Sequence, residues 1–107
     1  MDDRELLELA AKAAGMRVSK VRQAERDAML DPKTASLWII GGNTAWNPIT
    51  DDSDAFRLAV KLDLLCDTGL TGCLMKAACE EDPAKAVRRV FVEAAALIGR
   101  QMEVAGE

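Results

Sequence analysis

The sequence contains no histidine and no tyrosine, and its aromatic residues are two tryptophans and two phenylalanines. Without histidine, the Cys–His and Ser–His–Asp arrangements of nucleophilic catalysis are excluded. No apolar run approaches the ~20 residues that a membrane-spanning helix requires. The formal net charge is -4, which argues against a nucleic-acid binder that works by neutralising phosphates. We therefore expect neither an enzyme with catalytic residues nor a membrane or nucleic-acid partner.

The three cysteines, Cys66, Cys73 and Cys79, are odd in number and form no CxxC pair. A structural zinc site needs four ligands, so we expect no metal and no cofactor. Their apolar neighbours predict free, reduced, partly buried thiols. The chain opens on the acidic residues Asp2 and Asp3, where a signal peptide would be basic and then apolar. We expect the protein to stay in the cytoplasm of the cell that makes it.

The 107 residues are 50% apolar and 30% charged, which predicts one globular domain over residues 1–107. Alanine supplies much of the apolar fraction. Small side chains let helices approach closely, but each one buries little area, so the core should depend on Leu, Ile, Val and the four aromatic rings. Self-association into a homo-oligomer would help such a core.

The first helix is predicted from about Arg4 to Ala14. Asp2 or Asp3 can accept hydrogen bonds from its first turn, and Gly15 suits the left-handed residue that follows a helix end. Apolar residues recur between these limits at helical spacing, which gives the helix one buried face.

Residues 16–35 permit two interpretations. A short amphipathic helix is favoured by the helical period of the apolar residues, and an irregular arm is the alternative. Any helix here should end before Pro32, because the residue before proline avoids the helical region. The apolar residues in question are Val18, Val21, Ala24 and Ala28.

Residues 36–46 have the pattern of a β-hairpin. Residues 36–40 are rich in β-branched and aromatic side chains, residues 41–43 are Gly-Gly-Asn, and residues 44–46 can return as a second strand. A two-residue loop would set Trp46 opposite Ile39, and a three-residue loop would set it opposite Trp38. Residues 64–66 and 74–77 are predicted as a second pair of short strands.

Two further helices follow from capping residues. One begins after Thr50 or Asp51 and stops near Leu64. The last begins at Pro83 after a cap at Asp82 and runs to about Met102, with a frayed tail. The residues expected to form the buried stripe of the middle helix are Ala55, Phe56, Ala59, Val60 and Leu62.

Residues 46–62, WNPITDDSDAFRLAVKL, resemble the signature of the phage ABA-sandwich domain family. Residues 5–15 and 82–99 are also similar to the ends of that family. The resemblance implies an α+β fold, a small three-layer α/β/α sandwich with a short antiparallel sheet, hairpins and three main helices. It also implies a bacteriophage origin, and it carries no established activity. Residues 16–35 match no part of the family, and residues 66–79 are more apolar than its pattern.

Asp51, Asp52 and Asp54 form the densest acidic cluster. Carboxylate oxygens could hold Mg²⁺ or Ca²⁺, but the spacing is not that of an EF-hand loop. Capping of the following helix explains all three residues, and we favour it.

Six residues are candidates for binding a ligand or a protein partner. A tryptophan can stack on a ligand and an asparagine can read its edge, although a core ring and a turn-former explain the same residues. The arginines could bind anions, although solvated surface positions are the simpler interpretation. The six candidates are Trp38, Trp46, Asn47, Arg22, Arg26 and Arg88.

The size, the resemblance and the missing catalytic groups together favour a non-enzymatic bacteriophage accessory protein that binds a host or phage protein in the bacterial cytoplasm. Inhibition of a host defence system is one form that such binding could take. The alternative is a protein that binds a small ligand, such as a nucleotide or a nucleotide-derived signal, through Trp46, Asn47 and the basic residues of segment 17–33.

Overall fold

The computed structural model describes residues 2–33 and 35–105, and these residues form five α-helices. Two short 3-10 turns, Leu64–Cys66 and Thr68–Leu70, connect the third helix to the fourth. The long last helix is the centre of the fold, since the first, third and fourth helices all pack against it. The helices are α1 (Asp3–Ala13), α2 (Lys20–Met29), α3 (Asp52–Lys61), α4 (Thr71–Ala78) and α5 (Pro83–Ala105).

The predicted helix starts are confirmed by local hydrogen bonds, whereas α3 ends at Lys61, before the predicted stop near Leu64. Asp2 accepts from the N–H of Glu5 at 2.9 Å, and Asp51 accepts from that of Ser53 at 2.8 Å. Asp82 accepts from the N–H of Lys85 at the start of α5. Gly15 has a φ of 72° after α1, as the left-handed position requires. Helix α5 extends beyond Met102 to Ala105, and residues 106–107 of the predicted frayed tail lie outside the described part.

The predicted α/β/α sandwich is wrong, because the described residues form no sheet. Two isolated antiparallel bridges, Val18 with Ile39 and Leu37 with Trp46, are what remains of the hairpin. Trp46 therefore pairs in neither of the two predicted registers. Segment 37–40 is extended and alternates between buried and exposed side chains, but a single bridge on each edge builds no ladder.

The second predicted pair of strands is also wrong. Residues 64–66 form a 3-10 turn and residues 74–77 lie within α4. The side chain of Asp67 accepts from the N–H of Gly69 and starts a second turn instead of a strand. Leu70, Leu74 and Ala77 recur at helical spacing and lie against the body of the protein. This helical period was overlooked because residues 64–66 and 74–77 were interpreted as short apolar strands.

The core consists of two adjoining clusters. The first joins α1, the segment around Leu37 to Trp46, α3 and α5, and it contains Leu7, Leu37, Leu58 and Val92 among its fully buried side chains. The second surrounds Phe91, where α3 and the 3-10 turns meet α5. The first cluster carries many alanines. The prediction that the core depends on all four aromatic rings is wrong, since Trp46 and Phe91 are buried but Phe56 is exposed and Trp38 is half-buried.

Several predicted burials are wrong. Phe56 and Val60, assigned to the buried stripe of α3, are exposed, while Leu58 is buried in their place. The helix is rotated because its Asp54 faces inward. The thiols of Cys66, Cys73 and Cys79 are free but exposed rather than partly buried, since α4 turns its leucine and alanine side chains toward α5.

Candidate functional site

Helix α2 confirms the helical interpretation for residues 20–29 of segment 16–35, but its orientation is unusual for an amphipathic helix. Its apolar residues point to solvent, with Val21 70% and Met29 85% exposed. The residue of α2 that is buried is Gln23, at 4% exposure. A surface helix ordinarily turns its apolar stripe toward the core. The outer face of α2, defined as Val21, Ala24, Ala28 and Met29, therefore exposes apolar side chains on both sides of the charged Glu25, and these apolar side chains have no partner in the described chain.

Hydrogen bonds of polar side chains hold α2 in this orientation. The amide nitrogen of Gln23 donates to the carbonyl of Ser36 at 3.1 Å, and its amide oxygen accepts from the N–H of Trp38 at 2.7 Å. Arg26 donates to the carbonyls of Ser36 and Thr44. Burial of Gln23 costs little because its donor and acceptor are both satisfied. Segment 36–44, which consists of a short extended stretch and the turn after it, thus bonds to the polar side of α2.

Two of the predicted arginines stack on one of the predicted tryptophans. The guanidinium carbons of Arg22 and Arg26 lie 5.7 Å and 5.0 Å from the centre of the Trp38 ring, within the range of cation–π attraction. Arg22 also pairs with Glu25 at 3.3 Å, and both of these side chains are largely exposed. Trp38 is half-buried. Because Arg22 and Arg26 belong to α2, this cluster lies beside the outer face of α2 and is also exposed to solvent.

An ion pair fastens α2 to α1. Arg4 donates two hydrogen bonds to the carboxylate of Asp27, at 3.1 Å and 2.9 Å, and a further one to the carbonyl of Pro32. The hydrogen bonds from Arg4 lower the pKa of Asp27 against the opposing effect of desolvation. The same hydrogen bond raises the pKa of Arg4.

Asp27→Asn should lower the free energy of unfolding by about 1 kcal/mol, because a two-point charged contact becomes a weaker neutral one. The pKa of Asp27 is lower in the folded protein, so its contribution is present above the unfolded pKa of about 3.9 and is lost as the pH falls through the folded pKa. Urea denaturation of the variant and the parent at neutral and acidic pH measures this difference. Glu25→Gln is the control, and an equal loss there, or a loss that persists in acid, would contradict the assignment.

Trp46 and Asn47 lie apart from the Trp38 cluster and are buried. Trp46 is part of the first core cluster. The side chain of Asn47 accepts from the N–H of Ile49 at 3.1 Å and forms a turn. Its own N–H donates to the carboxylate of Asp54 at 3.0 Å. Both residues thus have a structural role.

Arg88 is also separate from the other candidates. Its guanidinium donates to the carbonyl of Ile49 at 2.8 Å and to the carboxylate of Asp52 at 2.6 Å. These bonds tie α5 to the entrance of α3. Arg88 was predicted to lie at the surface, but most of its side chain is buried.

The three aspartates of the acidic cluster have three different structural roles. Asp51 caps α3, Asp52 pairs with Arg88, and Asp54 turns inward to bond with Asn43 and Asn47. Within residues 2–33 and 35–105, no three acidic or cysteine side chains are grouped as a metal site would require. Over the same residues, no helix is long and apolar enough to cross a membrane.

Comparison of this chain with family models, curated proteins and solved structures finds no match. The resemblance to the phage ABA-sandwich family therefore stays a prediction, and the layered fold that it implied is wrong. The sequence analysis did not identify the outer face of α2, because a helical period shows which residues share a face but not whether that face is buried. The burial of Gln23 becomes visible only in the packed fold.

Proposed function

We propose that this chain is a non-enzymatic bacteriophage accessory protein that binds a host or phage protein in the bacterial cytoplasm. The orientation of α2 is the observation that supports the proposal most. The helix uses polar side chains to attach itself to the protein and leaves its apolar residues in solvent. Covering such a face with another protein surface removes its apolar area from water, which favours binding.

The chemistry of the outer face favours a helical partner. Ala24 and Ala28 have small side chains that let a second helix approach closely, and Met29 is flexible enough to fill an irregular gap. Arg22, stacked on Trp38 at the border, is a residue type that dominates binding energy at protein interfaces. Lys20 and Arg22 outnumber Glu25 by one positive charge beside this face, so the partner should carry acidic residues beside an apolar stripe.

The test compares a double variant of the outer face of α2 with a control variant at an exposed methionine elsewhere. Met29→Gln, combined with Val21→Ser, should weaken capture of the partner by at least about tenfold, since both side chains lie in the proposed contact. Met75→Gln is the control, because Met75 is 67% exposed on α4 and lies outside that contact. Capture from host lysate by tagged protein, quantified by mass spectrometry, measures the difference. Both variants should keep the parental stability, since their substituted side chains are exposed.

The proposal fails if no protein is captured above background, or if the double variant captures the same protein as well as Met75→Gln does. Light scattering distinguishes a second copy of the chain as occupant. A dimer that the double variant dissociates would replace the heterologous partner with self-association. A monomer that loses its captured protein only in the double variant would support the proposal.

A further inference from the structure

A cleft of about 450 Å³ opens on the side of the protein formed by α1, α3 and the turn of residues 39–43. One wall is the segment that leaves α1, from Ala14 to Arg17, and the opposite wall is α3. The volume lies within the range of small-molecule sites. The cleft shares no lining residue with the outer face of α2, so it is independent of the proposed partner surface.

Cations line the cleft although the protein as a whole is acidic. Arg17, Arg57 and Lys61 contribute three positive charges. Across the described chain, the side chains of Arg17 and Lys61 form no ion pair, whereas Arg57 lies 3.8 Å from the carboxylate of Asp54. That separation exceeds a hydrogen bond, so all three cations remain available to a ligand.

Asp54 cancels only one of these three positive charges. Its side chain is 2% exposed, and its carboxylate accepts from the side chain of Asn43 at 3.1 Å and 3.3 Å and from the N–H of Asn47 at 3.0 Å. These donors satisfy the carboxylate from inside the protein. Against one buried negative charge, three cations leave an excess of two positive charges in the cleft.

The floor of the cleft is apolar. Its lining includes Ile39 and Trp46, which are almost fully buried beneath it, and the exposed Ile40. Gly41 and Gly42 carry no side chain that could fill the space above them. We infer that the cleft binds a small organic anion, a carboxylate or a phosphate attached to a flat apolar body. The charged group would lie among the three cations and the body against the floor.

Four probes test this inference: phenyl phosphate, benzoate, inorganic phosphate and neutral benzyl alcohol. The two aromatic anions should bind saturably at millimolar concentration. In NMR spectra they should shift the indole N–H signal of Trp46 but not that of Trp38. The variant Trp38→Phe removes one of the two indole signals and so assigns both. Binding should weaken with added salt. The stronger of the two anions identifies phosphate or carboxylate as the preferred group, and inorganic phosphate alone should bind more weakly than phenyl phosphate.

Arg17→Gln combined with Lys61→Gln should raise the dissociation constant of the aromatic anions by about tenfold or more, because two charged contacts are lost. Lys33→Gln removes an exposed charge outside the cleft and should leave the constant unchanged. Calorimetry measures both variants. The inference is overturned if neither aromatic anion binds, if both bind the double variant as tightly as the parent, or if benzyl alcohol binds as tightly as the anions.

Discussion

Gly99→Ala should lower the free energy of unfolding by about 2 to 3 kcal/mol, the cost of forcing an extra carbon into a close-packed contact. An ideal Cβ at Gly99 would overlap the carbonyl oxygen of Leu9 and lie 2.8 Å from its carbonyl carbon. Both atoms belong to the backbone of α1, so no side-chain rotation relieves the overlap. Helix α1 would have to move away from α5. Urea denaturation, read as the midpoint at constant slope, measures the loss.

Gly72→Ala is the matched control. Gly72 lies in α4, and no heavy atom stands within 4 Å of the position that its Cβ would take. Alanine is the better helix former, so this variant should gain about 0.5 to 1 kcal/mol. The two substitutions are chemically identical and have opposite expected signs. A gain at both glycines would mean that α1 and α5 lie farther apart than the structure has them.

The close contact of α1 with α5 explains why the chain is so rich in alanine. Ala10 and Ala11 of α1, like Ala95 and Ala96 of α5, are buried in the same core cluster. Each buries little area, but short side chains bring two backbones together and multiply weak dispersion contacts. Stability at this interface therefore depends on the absence of side-chain volume, and Gly99 is the extreme case.

The helix ends were predictable because their causes are local. Asp2, Asp51 and Asp82 each bond to an N–H group within three residues along the chain, and this relation is visible in a string of letters. Gly15 is predictable for the same reason, since its left-handed conformation follows directly from its place after α1.

The missing sheet was not predictable from local pattern. Segment 36–46 has strand composition, and Leu37 and Ile39 do alternate with exposed neighbours. A ladder, however, also needs a partner of matching length, and the available pairings end after one bridge. Hydrogen bonds that could have extended a sheet are made to α2 instead, through Gln23 and Arg26. Those contacts span more than ten residues of sequence.

The candidate sites were predictable in part. Arg22, Arg26 and Trp38 come together because two helical positions four residues apart face the same extended segment. The cations of the cleft come from α3 and from the end of α1, and only the packed fold makes them neighbours. Trp46 and Asn47 have the residue types of a binding site and are both buried; Asn47 forms a turn, whereas Trp46 belongs to the core and also lines the cleft.

Asp54→Ala should lower the free energy of unfolding by about 3 kcal/mol, because it leaves buried donors without an acceptor. The N–H of Asn47 would lose its only acceptor among the described residues, and the side chain of Asn43 would lose both of its bonds to α3. Asp54→Asn should cost less, about 1 to 2 kcal/mol, since one oxygen remains to accept. Amide exchange at Asn47 should accelerate in both variants, as the turn opens before the helices do.

Asp52→Asn provides the comparison on the same helix. Asp52 is 79% exposed and bonds to Arg88 at the surface, so its loss should cost no more than about 0.5 kcal/mol. If both aspartates prove equally tolerant, the carboxylate of Asp54 is not the fastener between the 39–47 segment and α3. If only Asp54 is sensitive, its carboxylate attaches residues 43–47 to α3. Asn43 and Asp54 both line the cleft, so the wall of the cleft then depends on this contact.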